Sequence, residues 1–289
     1  MLTPPWSKGR LKAALSRGPH KSAKENIQFL REEFAAMIQK GQWVILPARL
    51  LEDEEELRLS PLGVVPQRDR RPRTICDYTY FAVNADTFEW APQSAMQFGK
   101  ALPRILWRIH HSNPRHGPVH IAKIDLSDGF YQVPLQPEDM MKLAVLFPSR
   151  PGEEPLIGLP LTLPMGWKES PPGFCSATET VADIANANIR ARHIPLPHRF
   201  DEVSEPTSSD GRAPITMTTT ASAYTGPPAP LGAPHNDEVK KPLSYWDIYV
   251  DDFIGLVQGN RWKRRRTKRI LFHALDSVFR PVDPDDNTH

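Results

Sequence analysis

The sequence has little cysteine, no long apolar run and almost no net charge, and each shortage excludes a class of protein. Cys76 and Cys175 are the two cysteines, and no CxxC pair occurs, which argues against a disulfide or a zinc framework. No apolar run could cross a bilayer, and the basic start lacks the apolar core of a secretory signal, although a transit peptide stays an alternative. We therefore expect an intracellular protein, cytoplasmic or nuclear, that has no membrane partner.

The formal charge is only +2, so net charge does not predict a nucleic-acid partner. The basic residues are nevertheless clustered, as RDRRPR at 68–73 and as RWKRRRTKR at 261–269. The second cluster lies at the start of a predicted helix, where cations oppose the helix dipole unless solvent or phosphates screen them. A solvated face is one interpretation, and weak nucleic-acid contact through Lys263, Arg264 and Arg265 is the other.

Proline is abundant, with 31 residues, and many of them fall in one segment. Residues 193–243 are rich in proline, serine, threonine and alanine and contain few large apolar side chains. Such a segment cannot bury enough surface to offset the entropy lost on ordering. We expect a disordered insertion that splits one folded unit.

The rest of the chain alternates between helical and strand periodicities. Ser22 and Glu25 form a capping box, and apolar residues then recur at helical spacing until Gly41. WVILP and PLGVVP are short apolar runs, and the alternation in RTICDYTYFAVN predicts a strand. A helix is expected within residues 94–112, where Pro103 favours a late start or a kink. Further helices follow the loop LPMGWKESPPGF and the second basic cluster. Because strands and helices do not alternate strictly, the pattern predicts an α+β fold with a small antiparallel sheet.

A lone aspartate, Asp125, interrupts the segment HIAKIDLSDGFYQVPL. The segment otherwise predicts a buried strand through Ile121, Ile124 and Leu126, followed by a Ser-Asp-Gly turn. A buried carboxylate is costly without a cation or hydrogen-bond donors. A ligand role is favoured, and a paired structural carboxylate is the alternative.

Two adjacent aspartates, Asp251 and Asp252, stand between β-forming runs in YWDIYVDDFIGLV at 245–257. This pattern predicts a tight hairpin with both carboxylates at or beside its turn. Adjacent carboxylates repel each other, and a bound cation is a common reason to hold them together. A solvent-exposed acidic turn is the alternative.

Three carboxylates on neighbouring strands could hold two Mg²⁺ ions, or Mn²⁺, in the arrangement that supports phosphoryl transfer. Asp125, Asp251 and Asp252 are therefore the predicted catalytic and metal-binding residues. Four histidines, His110, His111, His116 and His120, could form a second metal site, but a hydrated basic loop is their favoured environment.

The motifs KIDLSDGFYQVPL, LPMGWKESPPGF and YVDDF occur in the order found in the reverse transcriptases of retroviruses and long-terminal-repeat retrotransposons, which the chain resembles. The resemblance implies a fold with polymerase-type fingers and palm. It also implies an RNA-directed DNA polymerase in which Asp125, Asp251 and Asp252 bind both metal ions. A related RNA-directed RNA polymerase fits Phe130 and YVDD less well.

The resemblance further implies a nucleotide site. Phe130 matches the aromatic residue that selects deoxyribose, with a core phenylalanine as the alternative. Asp128 and Gly129 match a turn whose amides face the triphosphate. Met165 stands where many members have glutamine, and Gly166 and Trp167 match a loop near the nucleotide and template, with Tyr249 as a further weak nucleic-acid contact.

A basic residue that grips the triphosphate is expected in the segment RPRTICDY, where Arg73 is the best match. Many members of the family also have a lysine several residues earlier. No lysine lies between Lys40 and Lys100, so Arg68 or Arg70 would have to replace it.

The expected partners are a primed RNA or DNA template and deoxynucleoside triphosphates. Few residues follow Asp252, so we expect the thumb and ribonuclease H regions to be missing, and a catalytically silent fragment that still binds nucleic acid is the alternative. The predicted organisation is a flexible basic N-terminus at 1–21, fingers at 22–118, palm at 119–192, the insertion at 193–243, the YVDD hairpin and helix at 244–280, and a tail at 281–289.

Overall fold

The structure is a computed structural model, and it describes residues 4–90, 96–202 and 241–279. The described part of the chain is a mixed α+β protein that forms two compact units. The first unit contains residues 4–90 and 128–174, and the second contains residues 96–127, 175–202 and 241–279.

The strands are β1 (Trp43–Pro47), β2 (Leu59–Gln67), β3 (Arg70–Cys76), β4 (Val119–Asp125), β5 (Ala144–Phe147), β6 (Leu156–Pro160), β7 (Ser244–Tyr249) and β8 (Asp252–Gln258). The helices are α1 (Lys8–Arg17), α2 (Lys21–Glu25), α3 (Ile27–Gln39), α4 (Val83–Asp86), α5 (Ala101–His110), α6 (Pro137–Met140), α7 (Ser170–Arg190) and α8 (Arg261–Val278).

The first unit is built on a five-stranded sheet in the order β1-β6-β5-β2-β3. All neighbours are antiparallel except β2 and β5, which are parallel. Strands β1 and β2 include the short apolar runs WVILP and PLGVVP. Phe34 on α3 packs edge to face against Trp43 and Phe147, with ring centroids 5.1 Å apart in both pairs. The apolar spacing of α3 therefore serves to cover this sheet.

The predicted capping box at Ser22 and Glu25 is wrong. Helix α2 begins at Lys21, before the predicted cap, and Ser22 Oγ accepts a hydrogen bond from Val64 N at 3.1 Å. A break at Asn26 separates α2 from α3, and the chain then leaves the helical conformation at Gly41, where φ is +67°. The hydroxyl of Ser22 therefore accepts a hydrogen bond from an amide of β2 instead of capping its own helix.

The predicted flexible N-terminus is wrong for the described residues from Pro4 onward. Ser7 caps α1 by accepting a hydrogen bond from Arg10 N at 3.2 Å. Trp6, Leu11 and Ala14 are buried. The basic composition hid a short amphipathic helix that buries these apolar residues.

The strand predicted for RTICDYTYFAVN ends early, at Cys76. The carboxylate of Asp77 accepts hydrogen bonds from the amides of Thr79 and Tyr80, at 3.2 and 3.0 Å. An aspartate that binds amides two and three residues on favours a turn over a strand. The chain therefore turns here and enters α4.

The second unit is a three-stranded antiparallel sheet in the order β4-β8-β7, with α5 and α8 packed on it. Gly255 on β8 faces Trp246 on β7, and a Cβ at Gly255 would lie 2.7 Å from the indole ring. Helix α5 begins at Ala101 and holds Pro103 in its first turn, which confirms the predicted late start. Helix α8 begins after Asn260, whose side chain accepts a hydrogen bond from Lys263 N at 3.0 Å.

The prediction that the strand around Asp125 is buried is wrong. Strand β4 lies at one edge of its sheet, and Ile121 is 50% exposed. Asp125 is exposed, while Ile124 and Leu126 are only partly buried. The apolar residues of β4 belong to an edge strand that is covered on one face only. Burial is therefore not a reason for Asp125 to need a cation.

The first ten residues of the predicted disordered insertion are described, and they make defined contacts. Residues 193–202 contact α8, where Asp201 forms an ion pair with Arg269 at 2.6 Å and His198 contacts Asp276 at 2.9 Å. Arg199 also pairs with Asp276 through two hydrogen bonds. These polar pairs bind a segment that has few large apolar side chains. Most of the predicted insertion, 203–240, and the predicted tail, 281–289, lie outside the described residues.

The boundary predicted between fingers at 22–118 and palm at 119–192 does not coincide with the compact units. Residues 96–118 group with the three-stranded sheet, and residues 128–174 group with the five-stranded sheet. Each compact unit is built from separate stretches of the chain, so a division into consecutive segments cannot reproduce it. None of the described helices is long and apolar enough to span a membrane.

Candidate metal centre and predicted nucleotide-binding residues

The three predicted ligands meet because of strand pairing in the second unit. Asp125 ends β4 and lies opposite Asp252, the first residue of β8. Asp251 belongs to the two-residue turn between β7 and β8, and Leu126 N donates a hydrogen bond to Asp251 O at 3.1 Å. The predicted hairpin is thus present, with both aspartates at its turn.

The turn itself has an uncommon backbone conformation. Val250, its first central residue, has a φ of +60°. A β-branched residue rarely adopts this conformation, for which hairpins usually use glycine or asparagine. The flanking pairs Tyr249–Asp252 and Ile248–Phe253 maintain the strand register on both sides of the turn.

Asp125, Asp251 and Asp252 can each offer a carboxylate oxygen such that the three oxygens lie within 4.8 Å of one another. Asp125 is exposed and the other two aspartates are partly buried. The pKa of Asp125 lies above its ordinary value because it shares a hydrogen bond with Asp252, because it is partly desolvated and because Asp251 is negatively charged. The cluster therefore carries charge repulsion that a cation would relieve.

One lysine of the same strand enters this cluster. Lys123 Nζ lies 2.8 Å from Oδ1 of Asp252, an oxygen that is buried and receives no well-aligned hydrogen bond from the described residues. One ammonium group against three carboxylates leaves an excess of negative charge when all are ionised. Several oxygen donors with net negative charge match the preference of Mg²⁺ and Mn²⁺ for hard ligands.

In the first unit, the predicted triphosphate turn follows a residue with left-handed backbone geometry. Asp128 has a φ of +58°, and a 3₁₀ turn begins at Gly129. Asp128 Oδ2 accepts a hydrogen bond from Lys40 Nζ at 2.6 Å. Sequence reasoning missed Lys40, because the two residues lie far apart in the chain and α3 alone brings the lysine to this turn.

Phe130, the predicted sugar-selecting residue, is partly buried. Its ring packs edge to face against Phe174, with centroids 4.9 Å apart. Such a contact is typical of a packed aromatic cluster. The geometry is compatible with the core interpretation as well as with the predicted role.

Arg73 lies on β3 opposite Val65, is exposed and forms no ion pair within the described residues. Its charge lowers the pKa of Tyr131, which burial raises more strongly. Arg68 and Arg70, the weaker alternatives, are exposed around the β2–β3 turn. Arg73 is therefore free to contact an anion. The geometry of this unit does not favour either Arg68 or Arg70 as the second basic residue near the triphosphate.

The loop with Met165, Gly166 and Trp167 is held by side chains that the sequence did not single out. Asn84 Nδ2 donates to Gly166 O and Asn84 Oδ1 accepts from Lys168 N, both at 3.0 Å. Trp167 Nε1 donates to Thr87 Oγ1 at 3.1 Å, and Met165 is partly buried. Gly166 has a φ of +102°, and a Cβ there would lie 2.4 Å from Cys76 O, so only glycine fits.

The basic cluster at the start of α8 makes several contacts within the second unit. Lys263 Nζ donates to Pro242 O at 2.9 Å, Arg264 contacts His120 Nε2 at 2.8 Å, and Arg265 donates to Asp201 O at 3.3 Å. These contacts orient the side chains but leave most of their charge uncompensated. Tyr249 is 50% exposed and packs its edge against Phe98.

The four histidines considered as metal ligands form no such site among the described residues, where the aspartate cluster is the one group found. His111 instead stacks on Trp107, with ring centroids 4.1 Å apart. His120 contacts Arg264. These contacts give His111 and His120 structural partners.

A buried charge network supports the strand that leads to the aspartate turn. Arg104 on α5 and Asp247 on β7 form a two-pronged ion pair, with Nε and Oδ2 3.0 Å apart. The hydroxyl of Tyr245 also donates to Asp247 Oδ2 at 3.0 Å. Glu179 on α7 lies close enough to be affected, and burial raises its pKa to about 7, partly opposed by Arg104.

Glu179 provides a test through the pH dependence of stability. Because its pKa is about 7 when folded, against an ordinary value of 4.5, ionisation of Glu179 opposes folding progressively from about pH 4.5 and fully above about pH 7. We expect Glu179→Gln to raise the free energy of unfolding at pH 8, and we expect the gain to disappear by pH 4.5. Denaturant unfolding of both proteins across this range measures it. A variant less stable than the parent at pH 8 would contradict the prediction, because it would mean that Arg104 stabilises the ionised form.

No protein-family model matches the chain, and no curated protein matches it.

Proposed function

We propose that the protein is a reverse-transcriptase-like RNA-directed DNA polymerase domain, which transfers a nucleotide from a deoxynucleoside triphosphate to a primer 3′-hydroxyl. The observation that carries the proposal is the convergence of Asp125, Asp251 and Asp252 within 4.8 Å. Their positions at the end of one strand and at the turn of a paired hairpin agree with the motif order that led to the resemblance. Under this proposal the three-stranded unit corresponds to a palm, and the five-stranded unit supplies fingers-like elements.

The donor set fits the divalent cation that such a reaction requires. Three carboxylates that repel each other, with one lysine as counter-charge, form an oxygen-rich and incompletely neutralised cluster. Asp125, Asp251 and Asp252 would hold Mg²⁺ or Mn²⁺. When bound, a pair of such ions lowers the pKa of an attacking hydroxyl and stabilises negative charge on a leaving pyrophosphate.

The residues of the chain would contribute positioning. Under the proposal, the hairpin fixes the direction of two carboxylates, because Val250 and Asp251 alone connect paired strands. Arg73, exposed and unpaired within the described residues, would contact a phosphate through its planar guanidinium group. The ammonium group of Lys40, which is partly exposed beside that turn, would leave Asp128 and bind phosphate oxygens. Phe130 would limit the space beside the sugar.

Primer extension tests the proposal directly. We expect purified protein to extend a labelled DNA primer on an RNA template in the presence of Mg²⁺ or Mn²⁺ and deoxynucleotides. The double variant Asp251→Asn and Asp252→Asn should lose at least about 1000-fold in rate, because metal ions supply several kcal/mol of transition-state stabilisation. Asp183→Asn is the matched control, since it removes an exposed carboxylate of the same unit that lies outside the cluster.

The possible results separate two functions. Metal-dependent extension that survives in Asp183→Asn and disappears in the double variant supports the polymerase. A folded protein that shows no extension under any metal condition would refute it.

A fold that binds nucleic acid without catalysis is the second candidate, favoured by the contact between Lys123 and Asp252. That contact partly neutralises the cluster without any metal ion. Retained binding of a primed template by the double variant, without extension by either protein, would support this candidate.

A further inference from the structure

A cavity of about 440 Å³ lies within the second unit, apart from the aspartate cluster. It is formed by the ends of α5 and α7, the start of β7 and the start of α8. Its lining includes Ser244, the first residue of β7, whereas Asp252 pairs with Tyr249, the last. At the usual rise per residue of an antiparallel strand, these ends are roughly 17 Å apart.

The lining of this cavity is strongly basic. Six cationic side chains contribute to it, and no acidic side chain does so among the described residues. The six are Arg108, Arg190, Arg192, Lys241, Lys263 and Arg266. Such a concentration of one charge around a concave surface raises the local concentration of anions.

Two of these cations are poorly compensated. Arg266 Nε donates to His193 O at 2.9 Å, but its Nη2 atom is buried and finds no acceptor in the described part of the chain. Lys263 donates to Pro242 O at 2.9 Å, and burial together with the charge of Arg266 lowers its pKa to about 8. Burying cations without a counter-charge is costly, so the site gains from an anion that completes these contacts.

The remaining lining is suited to a compact anion. The guanidinium of Arg108 lies 3.5 Å from the centroid of the Tyr245 ring, which orients it at the cavity wall. Ser112 and Ser244 add hydroxyl groups, and Asn186 adds an amide. The N-terminal end of α8 is positive as well, so its dipole adds to the attraction. The cavity volume falls within the range of sites for small ligands.

We propose that this cavity binds a small polyphosphate anion, either inorganic diphosphate or the phosphate chain of a nucleotide. Phosphate oxygens accept several charge-assisted hydrogen bonds at once, which a cluster of arginine and lysine side chains can supply. The site needs no metal ion and does not rest on the polymerase proposal. A long nucleic-acid strand is less favoured, because the cations surround a cavity instead of following a groove.

Calorimetric titration with sodium diphosphate in EDTA tests the proposal, and titrations with ATP and with sulfate run beside it. We expect diphosphate and ATP to bind, with sulfate weaker. The double variant Lys263→Gln and Arg266→Gln should weaken diphosphate binding at least about tenfold, because it removes two buried and poorly compensated charges. Arg265→Gln is the matched control, since it removes one charge from the same helix outside the cavity lining. It should bind diphosphate as the parent protein does.

A second readout distinguishes loss of binding from loss of folding. Without ligand, the double variant should melt at or above the temperature of the parent protein, because it no longer buries poorly compensated cations. Diphosphate should raise the melting temperature of the parent and of Asp251→Asn, but not that of the double variant. Equal binding by parent and double variant would overturn the proposal. So would loss of diphosphate binding in Asp251→Asn, or binding of a single-stranded oligonucleotide where diphosphate fails to bind.

Discussion

Replacing Asp125 with asparagine is expected to stabilise the metal-free protein while removing its response to Mg²⁺. Asp125 and Asp252 lie directly opposite each other on paired strands, and like charges in that position are destabilising. Their shared hydrogen bond and the charge of Asp251 raise the pKa of Asp125. Removing one charge should therefore yield about 0.5 kcal/mol, or a melting temperature higher by about 1–2 °C, at pH 7 without divalent ions.

The same substitution removes one of the three candidate ligands. The melting temperature of the parent protein should increase as Mg²⁺ is titrated, because a ligand that binds only the folded state stabilises it. The Asp125→Asn protein should show little or no such increase and should lose about 1000-fold in extension rate. Differential scanning calorimetry with and without Mg²⁺ measures the first effect.

Asp183→Asn again serves as the control for a change of one surface charge. It should neither raise the melting temperature of the metal-free protein by the same mechanism nor alter the Mg²⁺ titration. An Asp125→Asn protein that keeps the full Mg²⁺ response would show that this carboxylate is not a ligand. A lower melting temperature without metal would show that Lys123 already neutralises the cluster.

Substituting Asp247 is expected to produce the largest loss of stability. Asp247 is 1% exposed and accepts hydrogen bonds from Arg104 and Tyr245. Asp247→Ala leaves Arg104, itself only 9% exposed, without its counter-charge. Breaking a buried pair in this way costs about 3–5 kcal/mol. Urea unfolding followed by circular dichroism would measure the change.

Two further variants define the origin of this loss. The double replacement Arg104→Met and Asp247→Leu should recover most of the stability, because it removes both buried charges together. Asp53→Ala, which breaks the exposed ion pair with Lys8, should leave stability almost unchanged. If Asp247→Ala and Asp53→Ala cost the same, burial of the pair would not be the reason.

The sequence predicted those elements whose formation depends on residues that are close together in the chain. The YVDD hairpin needs only alternating β-formers on both sides of a two-residue turn, and it forms with Asp251 in that turn. The late start of α5 follows from Pro103. The α+β class follows from the mixed order of elements. Helix α1 was missed because a basic composition outweighed two buried apolar positions, Leu11 and Ala14.

Contacts between distant residues could not be predicted from the sequence. Asp125 was selected for a buried environment, yet it is exposed, and what places it beside Asp252 is strand register. The pairs Lys40–Asp128 and Asp201–Arg269 join residues on separate elements. No local periodicity encodes such pairs, so Lys40 went unnoticed as a neighbour of the predicted triphosphate turn.

The contacts of α8 have a consequence for how this protein could be shortened or extended. On one side of residues 203–240, Asp201 and His198 are held by Arg269 and Asp276, and on the other side Pro242 is held by Lys263. Both ends of the intervening stretch are therefore anchored to the same helix. A fused reporter or a deletion placed between these anchors should therefore leave the contacts of α8 intact.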